Sequence, residues 1–167
     1  MRTSFLIPVY TTELSVLRLC VNSALKAASD EHEVVVVDDA SSEAETREFL
    51  SRCAASGLDN LTVLRNAENC GVSYSLNNAA NSATGELYAP VDHDDMVVIS
   101  GFQQMIWYMK YHGESWAYSD ELQITDRGIP RGFMHKPDFS LQLLRSVMYI
   151  NHLQSVSYTH LTLPTIL

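Results

Sequence analysis

Asp92-His93-Asp94-Asp95 packs three carboxylates between two apolar runs, Leu87 to Val91 and Met96 to Ile99. Carboxylates crowded together repel unless a cation shares the site. Their hard oxygen donors suit a divalent metal such as Mg²⁺ or Mn²⁺, and such a metal suits a phosphate-bearing ligand. The plainer reading is a solvated acidic turn. Position decides between the two. Aspartate is depleted from strand interiors, so the tetrad belongs where a strand leaves a sheet. Two further groups follow apolar runs in the same way. Asp38-Asp39 comes after Val34-Val35-Val36-Val37, and Tyr10 ends Phe5-Leu6-Ile7-Pro8-Val9.

The elements that must hold these groups alternate along the chain. Ser4 to Tyr10 reads as a buried first strand. Leu14, Leu17, Leu19, Val21, Ala24, Leu25 and Ala28 give a helix with a broad apolar face, with Thr12 as its expected N-cap. The unbroken apolar run from Glu33 to Val37 is a strand buried on both faces, as in a parallel sheet. A helix over 43–55 near Gly57, a strand over 61–64, a helix over 73–83 and a strand over 86–91 follow. A helix over 100–112 and a strand over 116–118 complete the pattern. Trp107, Tyr108 and Tyr111 are expected to pack at the core and its rim, and Trp116 in the core of its strand. Strict alternation with short connections predicts an α/β fold, a Rossmann-like doubly wound, mostly parallel sheet with helices on both faces. Ligands of such sheets bind beyond the carboxyl ends of the strands. Tyr10, Asp38, Asp39 and the tetrad would therefore share one edge. After Asp120 the pattern weakens to a turn at Asp126-Arg127-Gly128 and a short helix over 141–147.

The chain has 167 residues, 46% of them hydrophobic and 19% charged, enough for one domain with a real core. Its net charge of −9 argues against a general nucleic-acid surface, which needs a basic patch. Three widely spaced cysteines, Cys20, Cys53 and Cys70, suit a reduced, cytoplasmic setting. The start of the chain is not a signal peptide, and no apolar stretch approaches the ~20 residues of a spanning helix. Residues 154–167 carry no charged side chain and read as neither amphipathic helix nor clear strand. They resemble translated sequencing-adapter sequence. The expected division is thus a domain over 1–153 and a non-native tail over 154–167.

Several segments together resemble the family-2 glycosyltransferases, which have the GT-A fold. They are Phe5-Leu6-Ile7-Pro8-Val9-Tyr10, Asp38-Asp39-Ala40-Ser41, and Asn69-Cys70-Gly71 with Asn77 and Ala83-Thr84-Gly85-Glu86. The tetrad, with its Asp-x-Asp motif, completes the set. Tyr118-Ser119-Asp120-Glu121 and Lys136-Pro137-Asp138-Phe139-Ser140 are similar to a bacterial branch that builds polysaccharides such as O-antigen and rhamnose-containing chains. The resemblance covers about residues 4 to 153. It implies an inverting transfer of a sugar from a nucleotide-diphosphate donor to a saccharide or lipid-linked acceptor, with Mn²⁺ or Mg²⁺ as cofactor. The setting it implies is the cytoplasm, with peripheral contact at the inner face of the membrane compatible with it. By the same resemblance Pro8 and Tyr10 flank the nucleobase and Asp39 hydrogen-bonds it, with Asp38 as a neighbour. Asn69, Gly71 and Asn77 lie near the donor, Asp92 and Asp94 face ribose and metal, and Asp95 is a further anchor. Asp94 is the expected direct metal ligand.

The pattern has departures. Many relatives carry Ala-Arg-Asn in the third helix where this chain has Ser75-Leu76-Asn77, and Leu76 cannot contact phosphate. The carboxylate base of relatives lies past the equivalent of His152, where no matching motif follows. Asp120 and Glu121 are weak candidates for it. The expectation is a fragment that keeps donor and metal binding and lacks most of the acceptor half, at the limit an inactive nucleotide-binding fragment. His93, alternating with Asp92 and Asp94, is expected to point away from them. A two-component receiver domain is the alternative, an Mg²⁺-dependent phosphorylation switch with Asp94 as phosphoacceptor. Asp38-Asp39 and Lys136-Pro137 stand at roughly suitable separations for it. It leaves the first strand-helix unit and the Asn69 to Gly85 block without explanation.

Overall fold

The computed structural model describes residues 1–125, 128–151 and 153–157. Its elements in chain order are β1 (Thr3–Val9), α1 (Leu14–Ala28), β2 (Glu33–Asp38), α2 (Ala44–Ala54), β3 (Leu61–Arg65), α3 (Val72–Ser82) and β4 (Leu87–Pro90). They continue with α4 (Ile99–His112), β5 (Trp116–Tyr118), β6 (Glu121–Ile124), β7 (Pro130–Met134), α5 (Leu141–Leu144) and β8 (Gln154–Ser157). Six strands form one sheet in the order β3-β2-β1-β4-β8-β5. The pairs β1–β2, β1–β4 and β2–β3 are parallel, and β8 runs antiparallel to both its neighbours. This is the expected mostly parallel α/β sheet.

Every residue of β1 and β2 is buried, because helices cover both faces. Alternation along each strand sends side chains to opposite cores. Phe5, Ile7, Val9, Val34 and Val36 pack with Leu17, Val21, Leu50 and Phe102 from α1, α2 and α4. Leu6, Val35 and Val37 meet Ala79 of α3. The Phe5 and Phe102 rings lie 4.7 Å apart at 56°, one of the tilted arrangements that aromatic quadrupoles favour.

Several local expectations are corrected. Glu13, not Thr12, occupies the N-cap of α1, with no side-chain capping bond. The segment after Asp120 forms a hairpin, β6–β7, that the sequence pattern does not show. Helix α5 ends at Leu144, three residues short of the expected 147. Trp107, Tyr108 and Tyr111 are exposed on α4, where Trp107 and Tyr111 stack on each other. The sheet runs on through Gln154–Ser157, past the boundary expected at 153, with Ser155 and Val156 buried between β4 and β5. Residues 158–167 of the expected tail, with Asp126, Arg127 and His152, lie outside the described residues.

The edge of the sheet away from the tetrad is closed by Glu33. Its Oε1 accepts from the Ser4 hydroxyl, the Thr84 and Gly85 backbone N–H groups and the Thr84 hydroxyl, and its Oε2 faces Arg2. A Cβ at Gly85 would stand 2.5 Å from Ser4 Oγ and 2.8 Å from the Ser4 backbone nitrogen. The Ala83-Thr84-Gly85-Glu86 block therefore seats α3 and β4 on β1 and β2. Glycine is needed for close approach.

Gly85→Ala is expected to cost about 2 kcal/mol in urea unfolding, because the backbone it meets cannot move aside. Burial raises the Glu33 pKa, but bonds from Ser4 and Thr84, and the Arg2 charge, outweigh it and hold the carboxyl below its ordinary value of 4.5. A depressed carboxyl stabilises above its unfolded pKa, and that contribution is lost as pH falls through the folded value. Melts below about pH 4.5 should therefore lose stability more steeply in the wild type than in Glu33→Gln.

Candidate functional site

The carboxyl ends of β1, β2 and β4 open into a cleft of about 320 Å³ lined by Pro8, Val9, Asp39, Val72, Ser75, Asp92, His93 and Asp94. Residues from three expected motifs thus meet in one place. The backbone ladder carries on past the strand ends and fixes the floor. Asp39 N–H donates to Val9 O at 2.8 Å, Asn66 N–H to Asp38 O at 2.9 Å, and Val91 N–H to Leu6 O at 2.9 Å. Thr11 and Ala40, just past β1 and β2, hold positive φ of 44° and 60°. Such backbone is costly for residues with a Cβ and concentrates at functional sites.

Asp39 is 3% exposed, yet it lines the cleft. Its Oδ1 accepts from Asn66 Nδ2 at 2.7 Å and the Cys70 N–H at 2.9 Å, and its Oδ2 from the Gly71 N–H at 2.8 Å. Burial raises its pKa, but the bonds from Cys70, Asn66, Gly71 and Ser75 outweigh burial and hold the carboxyl below the usual aspartate value. Asp39 is therefore a fixed anion. Gly71 has a φ of 86° as the N-cap of α3, and its N–H also donates to Asn69 Oδ1 at 3.1 Å. Asn69 and Gly71 shape the loop that grips Asp39, and they do not line the cleft themselves.

Asp38 takes a different part. It is buried, its Oδ1 accepts from the Ser41 N–H, and its Oδ2 pairs with Arg65. Arg65 also donates to Ser41 O at 3.2 Å. This cluster borders a separate surface groove with Arg47 and Leu50 of α2. The period-two pleat separates the two neighbours, sending Asp38 to the α2 side and Asp39 to the α3 side.

The acidic tetrad forms a turn closed by Asp95 N–H to Asp92 O at 3.0 Å. It is anchored from outside. Cys20 Sγ reaches Asp92 O at 3.4 Å, and the Val97 N–H donates to Ser23 Oγ at 3.0 Å. Burial and then the charges of Asp95, Asp94 and Asp92 push the Cys20 thiol up to about 12, which keeps it an inert thiol. His93 does not turn away as expected. It lines the cleft with Asp92 and Asp94, and its Nδ1 lies 3.2 Å from Pro8 O. The tight turn breaks the strand alternation on which that expectation rests.

Asp92 and Asp94 are exposed carboxylates, the oxygen donors that Mg²⁺ and Mn²⁺ prefer. Among the described residues no group of three or more metal-ligating side chains converges. The donor set therefore fits a cation held by one or two carboxylates that completes its shell with water and ligand phosphates, and it does not form a closed protein cage.

Tyr10 stands at the end of β1, 46% exposed, outside the cleft lining. Asn77 is half-buried on α3, also outside it. Asn78, also on α3, is tied to the site, its Nδ2 donating to Asn66 Oδ1 at 2.9 Å. Asn66, Ser75 and Asn78 are site residues that motif reading passes over. Asn66 could have been found by the strand-end rule, since it follows β3 as Asp39 follows β2. Asp120 and Glu121 lie outside the cleft lining, Asp120 within 2.9 Å of the His135 ring nitrogen and Glu121 in an ion pair with Lys136 at 2.6 Å. The Lys136 N–H and then the His135 ring hold Asp120 below its ordinary value, the opposite of what a base working near neutral pH needs.

The fold defines an α/β protein with a mostly parallel sheet whose strand ends open into this cleft. The chain belongs to glycosyl transferase family 2, whose sequence model matches residues 4–145. It is similar to the uncharacterized protein y4gI of Sinorhizobium fredii (strain NBRC 101917 / NGR234), 28% identical over 90% of this chain and 16% of that one. The crystal structure of S. aureus TarS 1–349 superposes with a TM-score of 0.73 at 23% identity, over 95% of this chain and 48% of that one. Its complex with UDP-GlcNAc gives 0.65 at 28%, over 78% and 37%. The mannosyltransferase PcManGT from Pyrobaculum calidifontis, with GDP-Man and Mn²⁺, gives 0.55 at 27%, over 65% and 32%. The chain spans less than half the length of each. The receiver alternative is not favoured, since the family match takes in β1 and α1, and Lys136 is buried against Glu121 and not in the cleft of Asp94.

Arg65→Ala is expected to cost about 2 kcal/mol in urea unfolding, because it leaves the buried Asp38 carboxylate without its ion partner. Adding Asp38→Asn should recover part of that loss, a coupling that a double-mutant cycle measures.

Proposed function

We propose that the cleft binds a nucleoside-diphosphate sugar together with Mn²⁺ or Mg²⁺. In this reading the protein transfers the sugar, with inversion, to a hydroxyl of a saccharide or lipid-linked acceptor in bacterial cell-surface polysaccharide synthesis. The observation that carries the reading is the convergence of Pro8, Asp39, Asp92, His93 and Asp94 on one cleft in a family-2 chain. The UDP, UDP-GlcNAc and GDP-Man complexes of the similar structures support a nucleotide-sugar donor.

In this reading Pro8 and Tyr10 flank the nucleobase, and Asp39, held ionised, accepts a hydrogen bond from its edge. Asn69 and Gly71 keep the loop beside Asp39 in place. Asp92 faces the ribose and, with Asp94, would hold the cation, and Asp95 closes the turn that presents both. A divalent cation there supplies the Lewis acidity that makes a nucleoside diphosphate a competent leaving group. His93 ties the turn to β1 through Pro8, so the two walls keep their spacing. Asp120 and Glu121 are given no part in the chemistry. Among the described residues no helix is long and apolar enough to cross a membrane.

Calorimetry with UDP, dTDP and GDP, each with and without Mn²⁺, tests the reading. One nucleotide should bind in a Mn²⁺-dependent way, and Asp94→Asn should remove that dependence while circular dichroism stays unchanged. A folded wild-type sample that binds no nucleotide in the presence of Mn²⁺ would falsify the donor site.

A further inference from the structure

Strand β3 is one end of the six-stranded sheet, and among the described residues it pairs only with β2. The ladder fixes which of its backbone groups are spent. Val34 N–H donates to Asn60 O at 2.8 Å at one end, and Asn66 N–H donates to Asp38 O at 2.9 Å at the other. Along a parallel ladder, residues that bond the neighbour alternate with residues that turn away from it. Thr62 and Leu64 therefore serve β2, while Val63 and Arg65 turn their N–H and C=O groups outward. Natural sheet edges are blunted by proline, by bulges or by inward charges. Leu61–Arg65 has no proline, its register with β2 is unbroken, and its one charge, Arg65, is tied back to Asp38. The edge thus stays fit for pairing.

Helix α2 runs beside this edge and makes a groove of it. The groove holds about 280 Å³, with Arg47, Leu50 and Ala54 on one wall and Val63 and Arg65 on the other. An extended peptide that joins a sheet edge gains affinity from backbone bonds and specificity from alternate side chains. The charges of the two walls are mostly answered within the protein, Arg65 by Asp38 and Arg52 by Glu48. Arg47 is exposed and enters no ion pair among the described residues. Because α2 starts where β2 ends, Arg47 lies toward the carboxyl end of β3, near Arg65.

We propose that β3 and α2 form a docking groove for an extended segment of a partner protein. The segment adds to β3 as a further strand, lays apolar side chains on Leu50 and Val63, and sets one carboxylate against Arg47. One carboxylate matches one unanswered cation, whereas a longer acidic run would meet the chain's net charge of −9. A second copy fits less well. Its own β3 has no carboxylate among Leu61–Arg65 to bring to Arg47, and it carries the same net charge. Asp38 borders this groove while Asp39 lines the cleft, so the proposal stands apart from the donor-site reading.

The test selects a random phage-displayed library of peptides of roughly seven residues, strand length, on the whole chain and in parallel on Arg47→Glu. Peptides enriched on the wild type should combine alternating apolar residues with one Asp or Glu. On Arg47→Glu the acidic residue should give way to Lys or Arg. The most enriched sequence is then made as an acetylated, amidated peptide. Its Kd by calorimetry should weaken about tenfold in Arg47→Glu, where an attraction becomes a repulsion. At saturation the Val63 and Arg65 amides should exchange with solvent about tenfold more slowly by NMR, while Thr62 and Leu64, already bonded to β2, should not change. If Arg47→Glu does not fold, the exchange measurement on the wild type decides. No enrichment on the wild type, an enriched set that Arg47→Glu leaves unchanged, or unaltered exchange at Val63 and Arg65 overturns the proposal. So does sedimentation of the free chain as a dimer with those two amides already protected, which would give the edge to a second copy.

Discussion

A carboxylate shut away from water must find its hydrogen bonds inside the protein, and Asp39 meets that demand by collecting donors from two separate segments. Asn66 comes from the end of β3, and the Cys70 and Gly71 amides come from the loop that opens α3. The side chains of the loop over 67–71 are exposed, so the loop leans on these bonds. The charge thus orders the loop, and the loop fixes the charge. The α3 wall of the cleft, Val72 and Ser75, takes its place from the same bonds. The opposite wall is an exposed acidic turn tethered to α1 through its backbone and to β1 through His93. One wall is ordered by its own charge. The other is held from outside, with Asp92 and Asp94 exposed.

Much of this was legible in the chain. Apolar runs ending in polar residues located β1, β2 and β4 and the edge they share, because a parallel sheet covered on both faces leaves polar groups nowhere else to go. What failed shows the limits of period and motif. The hairpin β6–β7 exposes Leu122, Ile124 and Phe133, so no buried face imprints alternation on it. Strand β8 is four residues of mixed polarity, and its place between β4 and β5 is set by partners distant in sequence. Trp107 and Tyr111 follow helical spacing yet face outward, since spacing fixes a shared face and not what covers it. The Asp38-Asp39 pair reads as one motif. Only the pleat reveals that one residue braces the α2 side while the other faces the cleft.

The family blocks also divide by task once they are placed in space. The Pro-Val-Tyr, Asp-Asp and Asp-x-Asp segments meet at the carboxyl edge. The Ala-Thr-Gly-Glu segment sits at the opposite edge, on Glu33 and Ser4, where its glycine answers to packing. A motif can thus carry a family's signature without touching its chemistry.

The antiparallel strand β8 has a consequence for how the molecule assembles. As the chain is synthesised, β1 to β4 arrive in order and can pair into a four-stranded half-sheet through their helical connections. Strand β5 has no neighbour in that half-sheet, because β8 lies between it and β4. Until residues 154–157 emerge, β4 presents a bare edge and Trp116 to Tyr118 have nothing to pair with. Such late, sequence-distant closure slows folding and leaves an edge open to association with other chains. The order of synthesis thus makes the β4 edge the vulnerable place in a nascent chain.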